Sequence, residues 1–257
     1  MQTKKLHSWN LSYSQAIALQ KQLAQQVQQT ELKTKPKTIA GLDCALSKDE
    51  GKIIAAVVIL RMPNVTRGLW EGAAAESGPG QTDDTLRSSA SSLRSTSFEV
   101  IETATASQKL TFPYIPGLLS FRESPVCLAA VEKLKKEPDA FMIDGQGVAH
   151  PRRFGIATHL GLFFDKPTIG CAKSRLTGSF EDPSLEKGAY SPLKDNEDVI
   201  GAVVRTRSNV EPVFISVGNK CLLEEAIEIT LAWTTKYRLP EPTRLAHQLV
   251  SKLKLKA

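Results

Sequence analysis

Thr38-Ile-Ala-Gly-Leu-Asp-Cys-Ala-Leu46, a polar break over 47–51, and then Lys52-Ile-Ile-Ala-Ala-Val-Val-Ile-Leu60 are the runs whose reading decides the fold. Each is too short for a stable helix and is built of β-branched or small apolar residues, so together they read as a β-hairpin closed by a polar turn. Residues 98–106 resume that character, with Phe98, Val100 and Ile101 ahead of alternating Thr and Ala, and extend the hairpin to a three-stranded meander. Between the second and third strands lies 65–97, crowded with Ser and Gly and without an apolar period. Such a tract cannot bury enough surface to offset its ordering entropy, and it is expected to be a disordered insertion.

Towards the amino terminus, Ser12 and Gln15 have capping-box spacing, and Tyr13, Ala16, Ile17, Leu23, Ala24 and Val27 recur at helical intervals up to about Thr30. Towards the carboxyl terminus, Val126, Ala129, Ala130, Val131 and Leu134 trace a helical stripe over 125–136, closed by Pro138. Segments 140–144, 168–172, 199–205 and 213–217 read as strands; 154–164, 222–237 and a segment from Thr243 onward read as helices. A meander followed by alternating helices and strands predicts an α/β fold with a mixed sheet covered on both faces. At 257 residues and 41% hydrophobic content, one domain spanning 1–257 is expected.

The formal net charge of +6 favours a polyanionic partner, because Lys and Arg displace counterions condensed on phosphates. The four cysteines show no CxxC spacing, so Cys44, Cys127, Cys171 and Cys221 read as small buried hydrophobes rather than zinc ligands or bridges. Residues 1–5 carry no apolar targeting segment, and the longest apolar stretch, 53–60, is far short of a membrane span. A soluble, cytoplasmic protein without a membrane partner is expected.

Asp43 interrupts an apolar strand, where alternation puts it on the face of Ile39, Gly41 and Ala45. A carboxylate there is costly to desolvate without a cation or hydrogen bonds, although an edge-strand Asp reaching water would satisfy the same pattern. Asp144 repeats the arrangement: Phe141-Met-Ile143 delivers it to a strand's carboxyl end just before Gly145-Gln-Gly147. Ligands of open α/β sheets bind beyond such ends, but Asp-Gly is also an ordinary turn. Glu123, just before Pro125, has a helix-start acid as its plain alternative. Taken together, the three acids offer the hard oxygen ligands that magnesium requires when it also binds phosphates. His150 and His247 are candidate proton-transfer groups, with a solvent-facing helix position as the alternative for His247. Lys173, Arg152, Arg153 and Arg175 suit phosphate contacts or plain surface roles.

Four ordered strings carry a resemblance: Pro113-Tyr-Ile-Pro-Gly-Leu-Leu-Ser-Phe-Arg-Glu123, Asp144-Gly-Gln-Gly-Val-Ala-His-Pro-Arg-Arg153, Thr168-Ile-Gly-Cys-Ala-Lys173 and Leu239-Pro-Glu-Pro-Thr-Arg244. They resemble the endonuclease V family over nearly the whole chain outside the insertion and the tips. The resemblance implies an RNase H-like fold, a mixed five-stranded sheet flanked by helices, with the acids of its first and fourth strands side by side. It implies Asp43 and Asp144 as the metal-binding pair, Glu123 as a third ligand or water-positioning group, and His247 beside the metals. It also implies Lys173 on the phosphate or attacking water, Mg2+ as the cofactor and Mn2+ as a substitute.

In this family Pro113, Tyr114, Ile115 and Pro116 would wedge between bases at the lesion, an aromatic ring and stiff prolines filling the stacking gap. Gly117, Leu119, Gly145 and His150 would line a pocket for the displaced hypoxanthine. The implied reaction is hydrolysis of the second phosphodiester 3′ to deoxyinosine in DNA, by a monomer, leaving 3′-hydroxyl and 5′-phosphate ends. The chain departs from the family at the 65–97 insertion and at Gln146, where bacterial relatives often carry His. Two other readings stay open: an endoribonuclease acting on inosine in single-stranded RNA, and a catalytically idle nucleic-acid binder on the same scaffold.

Overall fold

The computed structural model describes residues 1–47, 51–63 and 98–255. The expected insertion at 65–97 and most of the hairpin's polar turn lie outside them. The amino-terminal helix α1 (Tyr13–Ala24) starts at the expected capping box, with Ser12 Oγ accepting from the Gln15 backbone N–H and the Gln15 side chain accepting from the Ser12 N–H. It stops six residues short of Thr30. The meander is β1 (Thr38–Leu46), β2 (Lys52–Arg61) and β3 (Glu99–Lys109), paired antiparallel. Helix α2 (Leu119–Val131), β4 (Ala140–Ile143), α3 (Ile156–Phe164) and β5 (Thr168–Ala172) follow. Strands β6 (Tyr190–Asp195), β7 (Asp198–Val204) and β8 (Val213–Asn219) precede α4 (Leu223–Ala232) and α5 (Glu241–Lys254).

The expected five-stranded arrangement is present as β3-β2-β1-β4-β5, with β1, β4 and β5 parallel. It is not the whole sheet: β8, β7 and β6 continue it antiparallel beyond β5, giving eight strands. Strand β6 escapes a pattern reading because Pro192 sits inside it, and proline is tolerated only where no ladder N–H is needed, as at this sheet edge.

Strand alternation sorts the core into two layers. Ile39, Val58, Leu60, Met142 and Ile169 face α4 and α5, where Trp233 and Ala246 are buried. Ala40, Leu42, Val57, Phe141 and Ile143 face α2 and α3, against Val126, Ala130 and Leu160. Central strands covered on both sides explain why β2 and β4 are continuous apolar runs. Helix α5 can lie close over β1 because Gly41 has no side chain: a Cβ there would fall 1.9 Å from the Pro242 carbonyl oxygen. Among the described residues, no helix is long and apolar enough to cross a membrane.

Candidate active site

The parallel register of β1 and β4 pairs Leu42 with Ile143, so the next residues along each strand direction are Asp43 and Asp144. Both follow the parity of Ile39 and Met142 and belong to the α5 face. Lys173, directly after β5, follows Ile169 and Cys171 onto that face too. Helix α5 supplies His247, whose Nδ1–H donates to Asp43 Oδ2 at 2.7 Å. Lys173 Nζ donates to Asp144 Oδ2 and stands 3.5 Å from His247 Nδ1. Among the described residues, Asp43, Asp144 and His247 offer ligand atoms within 4.8 Å of one another.

Asp43 is 9% exposed. Burial, and then the charge of Asp144, push its carboxyl above the usual range, against the downward pull of His247, Lys173 and the Cys44 N–H. Two facing carboxylates with one lysine and one imidazole form a site short of positive charge. Two oxygen donors and a nitrogen, open to solvent through the half-exposed His247, fit a hydrated divalent cation of the magnesium or manganese kind.

Glu123 stands apart from this trio, for a reason the sheet supplies. Alternation sends Asp43 towards α5 and its neighbour Cys44 towards α2, and Glu123 belongs to that second face, where the Cys44 thiol pulls its carboxyl down against the larger upward push of burial. Burial raises the Glu123 carboxyl to about 7, and the charges of Asp43 and Asp144 add to the rise. The helix begins at Leu119, not at Pro125, so Glu123 lies in its second turn and is not a helix-start acid.

Beyond the Asp144-Gly145 turn lies an open recess of about 110 Å³ between α1, α2 and α3. Its wall includes Tyr114, Ile115, Pro116, Gly117, Leu119 and His150 from the expected set. Pro113 and Gly145 are not on it, although Gly145 underlies it: a Cβ there would strike Ile156 of the wall at 2.5 Å. Tyr114 is 68% exposed, with the Arg122 guanidinium 5.7 Å from its ring centroid.

Gly117 turns the chain into α2 at φ +77°, and its carbonyl accepts from Gln20 Nε2 at 3.0 Å, His150 Nε2 at 3.0 Å and Arg152 Nη2 at 2.6 Å. The Arg152 backbone N–H donates to His150 Nδ1, which places the His150 proton on Nε2. Burial, then the neighbouring Arg152 charge, lower His150 to about 4, so the ring is neutral at neutral pH. Gln20 Oε1 accepts from Arg152 Nε at 2.6 Å and closes the network. Sequence reasoning missed Gln20, which looks like one more polar residue of a Gln-rich helix yet is fully buried. Arg153 turns away to Asp195 and Asp198, and Arg175 donates to the Gly178 carbonyl, so neither joins the recess.

The sequence model of the family described as Endonuclease V matches residues 73–248. The chain is 42% identical to an Endonuclease V of Dehalococcoides mccartyi and 40% identical to that of Petrotoga mobilis, covering 97% and 99% of each partner. Among solved structures it is similar to the Endonuclease V of Streptomyces avermitilis, with TM-score 0.80 and 35% identity over 100% of this chain and 99% of that one. It is also similar, at TM-score 0.68 and 25% identity over 93% and 95% of the chains, to Ciona intestinalis Endonuclease V. That structure was solved with a 24mer DNA containing an inosine followed by a ribo-adenosine.

Proposed function

The chain belongs to the endonuclease V family, and from that premise we propose that it is a magnesium-dependent endonuclease acting beside inosine in DNA. The observation that carries this reading is the convergence of Asp43, Asp144 and His247 at strand ends, one turn away from a recess large enough for a purine. In this reading the second phosphodiester 3′ to a deoxyinosine is hydrolysed, and the ends left are 3′-hydroxyl and 5′-phosphate. The damaged base stays in place.

Asp43 and Asp144 hold Mg2+, with Mn2+ able to replace it, and Glu123 and His247 complete the site as accessory ligands or water-positioning groups. When bound, the ion supplies positive charge to the phosphoryl group and the leaving 3′ oxygen. Lys173 carries a second charge to the phosphate, and its pairing with Asp144 keeps it at the site before substrate arrives. Tyr114, flanked by Pro113, Ile115 and Pro116, fills the gap left in the base stack. His150, held neutral, braces the Gly117 turn without competing for phosphate.

A second reading, inosine in single-stranded RNA, draws support from the ribo-adenosine that follows inosine in the Ciona complex. Matched DNA and RNA oligonucleotides bearing one inosine, incubated with and without Mg2+, decide between the two. Faster nicking of DNA with the product ends named above is the expected result. Faster cleavage of RNA would replace the substrate and keep the site. Nicking undiminished by chelator would overturn the metal assignment.

A further inference from the structure

The antiparallel ladder between β5 and β8 closes with the pair Ala172 and Phe214. Pro212 comes next but one beyond Phe214 in that direction and has no N–H to offer, so the ladder has no donor there. A side chain takes over. Arg238, in the connection between α4 and α5, donates from Nη2 to the Lys173 carbonyl and to the Pro212 carbonyl, both at 2.7 Å. A guanidinium NH2 group carries two protons and can serve both acceptors. The Arg238 backbone is pinned in turn: its carbonyl accepts from Thr206 Oγ1 at 2.6 Å, and Thr206 is buried. The neighbouring Arg205 ties that stretch down by donating to the carbonyls of Pro183, Ser184 and Val210.

We infer that Arg238 is a positioning residue for the reaction: by holding the Lys173 carbonyl it fixes the root of the side chain whose Nζ pairs with Asp144 and stands 3.5 Å from His247 Nδ1. The lysine stem is long and flexible, and this one is 37% exposed, so its ammonium keeps one place only if the backbone beneath it is fixed. Arg238 also stands three residues ahead of α5, the helix that carries His247. One guanidinium thus ties the strand end that delivers Lys173 to the connection that delivers His247, and the two groups keep their spacing across the acid pair. Its role runs through Lys173, and it is not itself a catalytic residue. The inference rests on the nuclease reading of the cluster and adds the group that sets its lysine.

The test is a cycle between Arg238 and Lys173. Single-turnover nicking of an inosine strand with Mg2+, and binding of that strand in chelator, are measured for the intact chain, Arg238→Met, Lys173→Ala and the double variant. Labelling of each lysine by an amine-reactive ester, without metal, is followed by mass spectrometry. Arg238→Met should slow nicking about ten- to hundredfold, the size of a small misplacement at a reacting centre, with binding unchanged. It should slow Lys173→Ala no further. Lys173 should label several-fold faster in Arg238→Met, while the exposed Lys21 of α1 labels as before. Arg238→Lys, which keeps donors for both carbonyls, should recover part of both effects. Thr206→Val releases only the Arg238 carbonyl and should show both effects in smaller measure; it decides the matter if Arg238→Met does not fold. Equal slowing by Arg238→Met with and without Lys173 would mean that Arg238 only supports the fold, and would overturn the inference. Unchanged labelling of Lys173 would overturn it too. If the intact chain nicks no inosine strand, DNA or RNA, the nuclease reading falls, and faster labelling of Lys173 would still uphold the placement.

Discussion

The acidic cluster and the recess lie one turn apart, yet they are built on opposite electrostatic plans. In the cluster, Asp43 and Asp144 face each other, and the Asp43 carboxyl is raised by burial and by its neighbour's charge. In the recess, Gln20, His150 and Arg152 converge on one carbonyl, and nearly every donor meets an acceptor. The first region stores repulsion that a cation relieves. The second has its polar groups paired with one another before any ligand arrives, which on the proposed reading suits a pocket for a base. On the proposed reading, chemistry and recognition are thus separated: the cluster is expected to cost the fold stability, and the recess network to add to it.

Asp43→Asn puts this contrast under its hardest test. A carboxylate whose folded pKa is raised costs stability above that pKa, and the cost disappears as pH falls and the group protonates. The neutral isostere removes it, so the unfolding midpoint at neutral pH should rise or hold. Nicking should fall on the order of a thousandfold, about 4 kcal/mol of transition-state stabilisation, with binding of inosine strands in chelator unchanged. Urea melts and single-turnover nicking read the two effects separately. A variant that loses stability and activity together would show that Asp43 is structural and that the cluster holds no strain.

The same contrast shows which parts of the molecule are legible in the sequence. The bounds of β1 and β5 and the two-faced core follow from alternation and apolar runs, because those features are local and periodic, whereas the pairing of Asp43 with Asp144 comes only from the family resemblance and is seen in the parallel register of β1 and β4. Glu123 was harder to place, since Pro125 looks like a helix start when in fact α2 continues through it. Gln20 was invisible because a buried polar residue on an amphipathic helix looks like a solvated one until its partners, Gly117 and Arg152, arrive from 97 and 132 residues away. Strand β6 was lost to Pro192, while β7 and β8 were legible as strands but not as a continuation of the five-stranded sheet. The acids and most of the recess wall were thus legible through the family's ordered strings, and the buried network behind the wall only from tertiary structure.

The recess makes its own prediction through His150. Its folded pKa of about 4 lies below the ordinary 6.5, so the unfolded chain binds the proton more readily. Stability from this group is complete above about pH 6.5 and is lost as pH falls towards 4, up to about 3 kcal/mol by the usual linkage. His159, fully buried and also pushed down by burial, acts in the same direction. Urea unfolding between pH 7 and 4.5 should show this decline, and His150→Gln should flatten part of it. An identical pH slope in the variant would mean that the Gly117 network does not hold His150 neutral.

Tyr114 gives the smallest effect and the cleanest separation of the two plans. Its ring is mostly exposed, with the Arg122 guanidinium 5.7 Å from its centroid, so the folded protein gains little from it. Tyr114→Ala should shift the unfolding midpoint by no more than about 0.5 kcal/mol, the usual range for a surface change. If the ring stacks in the gap left by a displaced base, its loss should weaken binding of inosine duplexes by about tenfold, near the lower end for a base–aromatic stack. Tyr114→Phe should restore binding, because the stack needs the ring and not the hydroxyl. The effect should shrink on a strand with an abasic site beside the inosine, where the ring has no neighbouring base to stack on. Equal losses on both substrates would assign Tyr114 to the backbone path instead of the wedge. The contrast would then lie between a metal site and a plain groove.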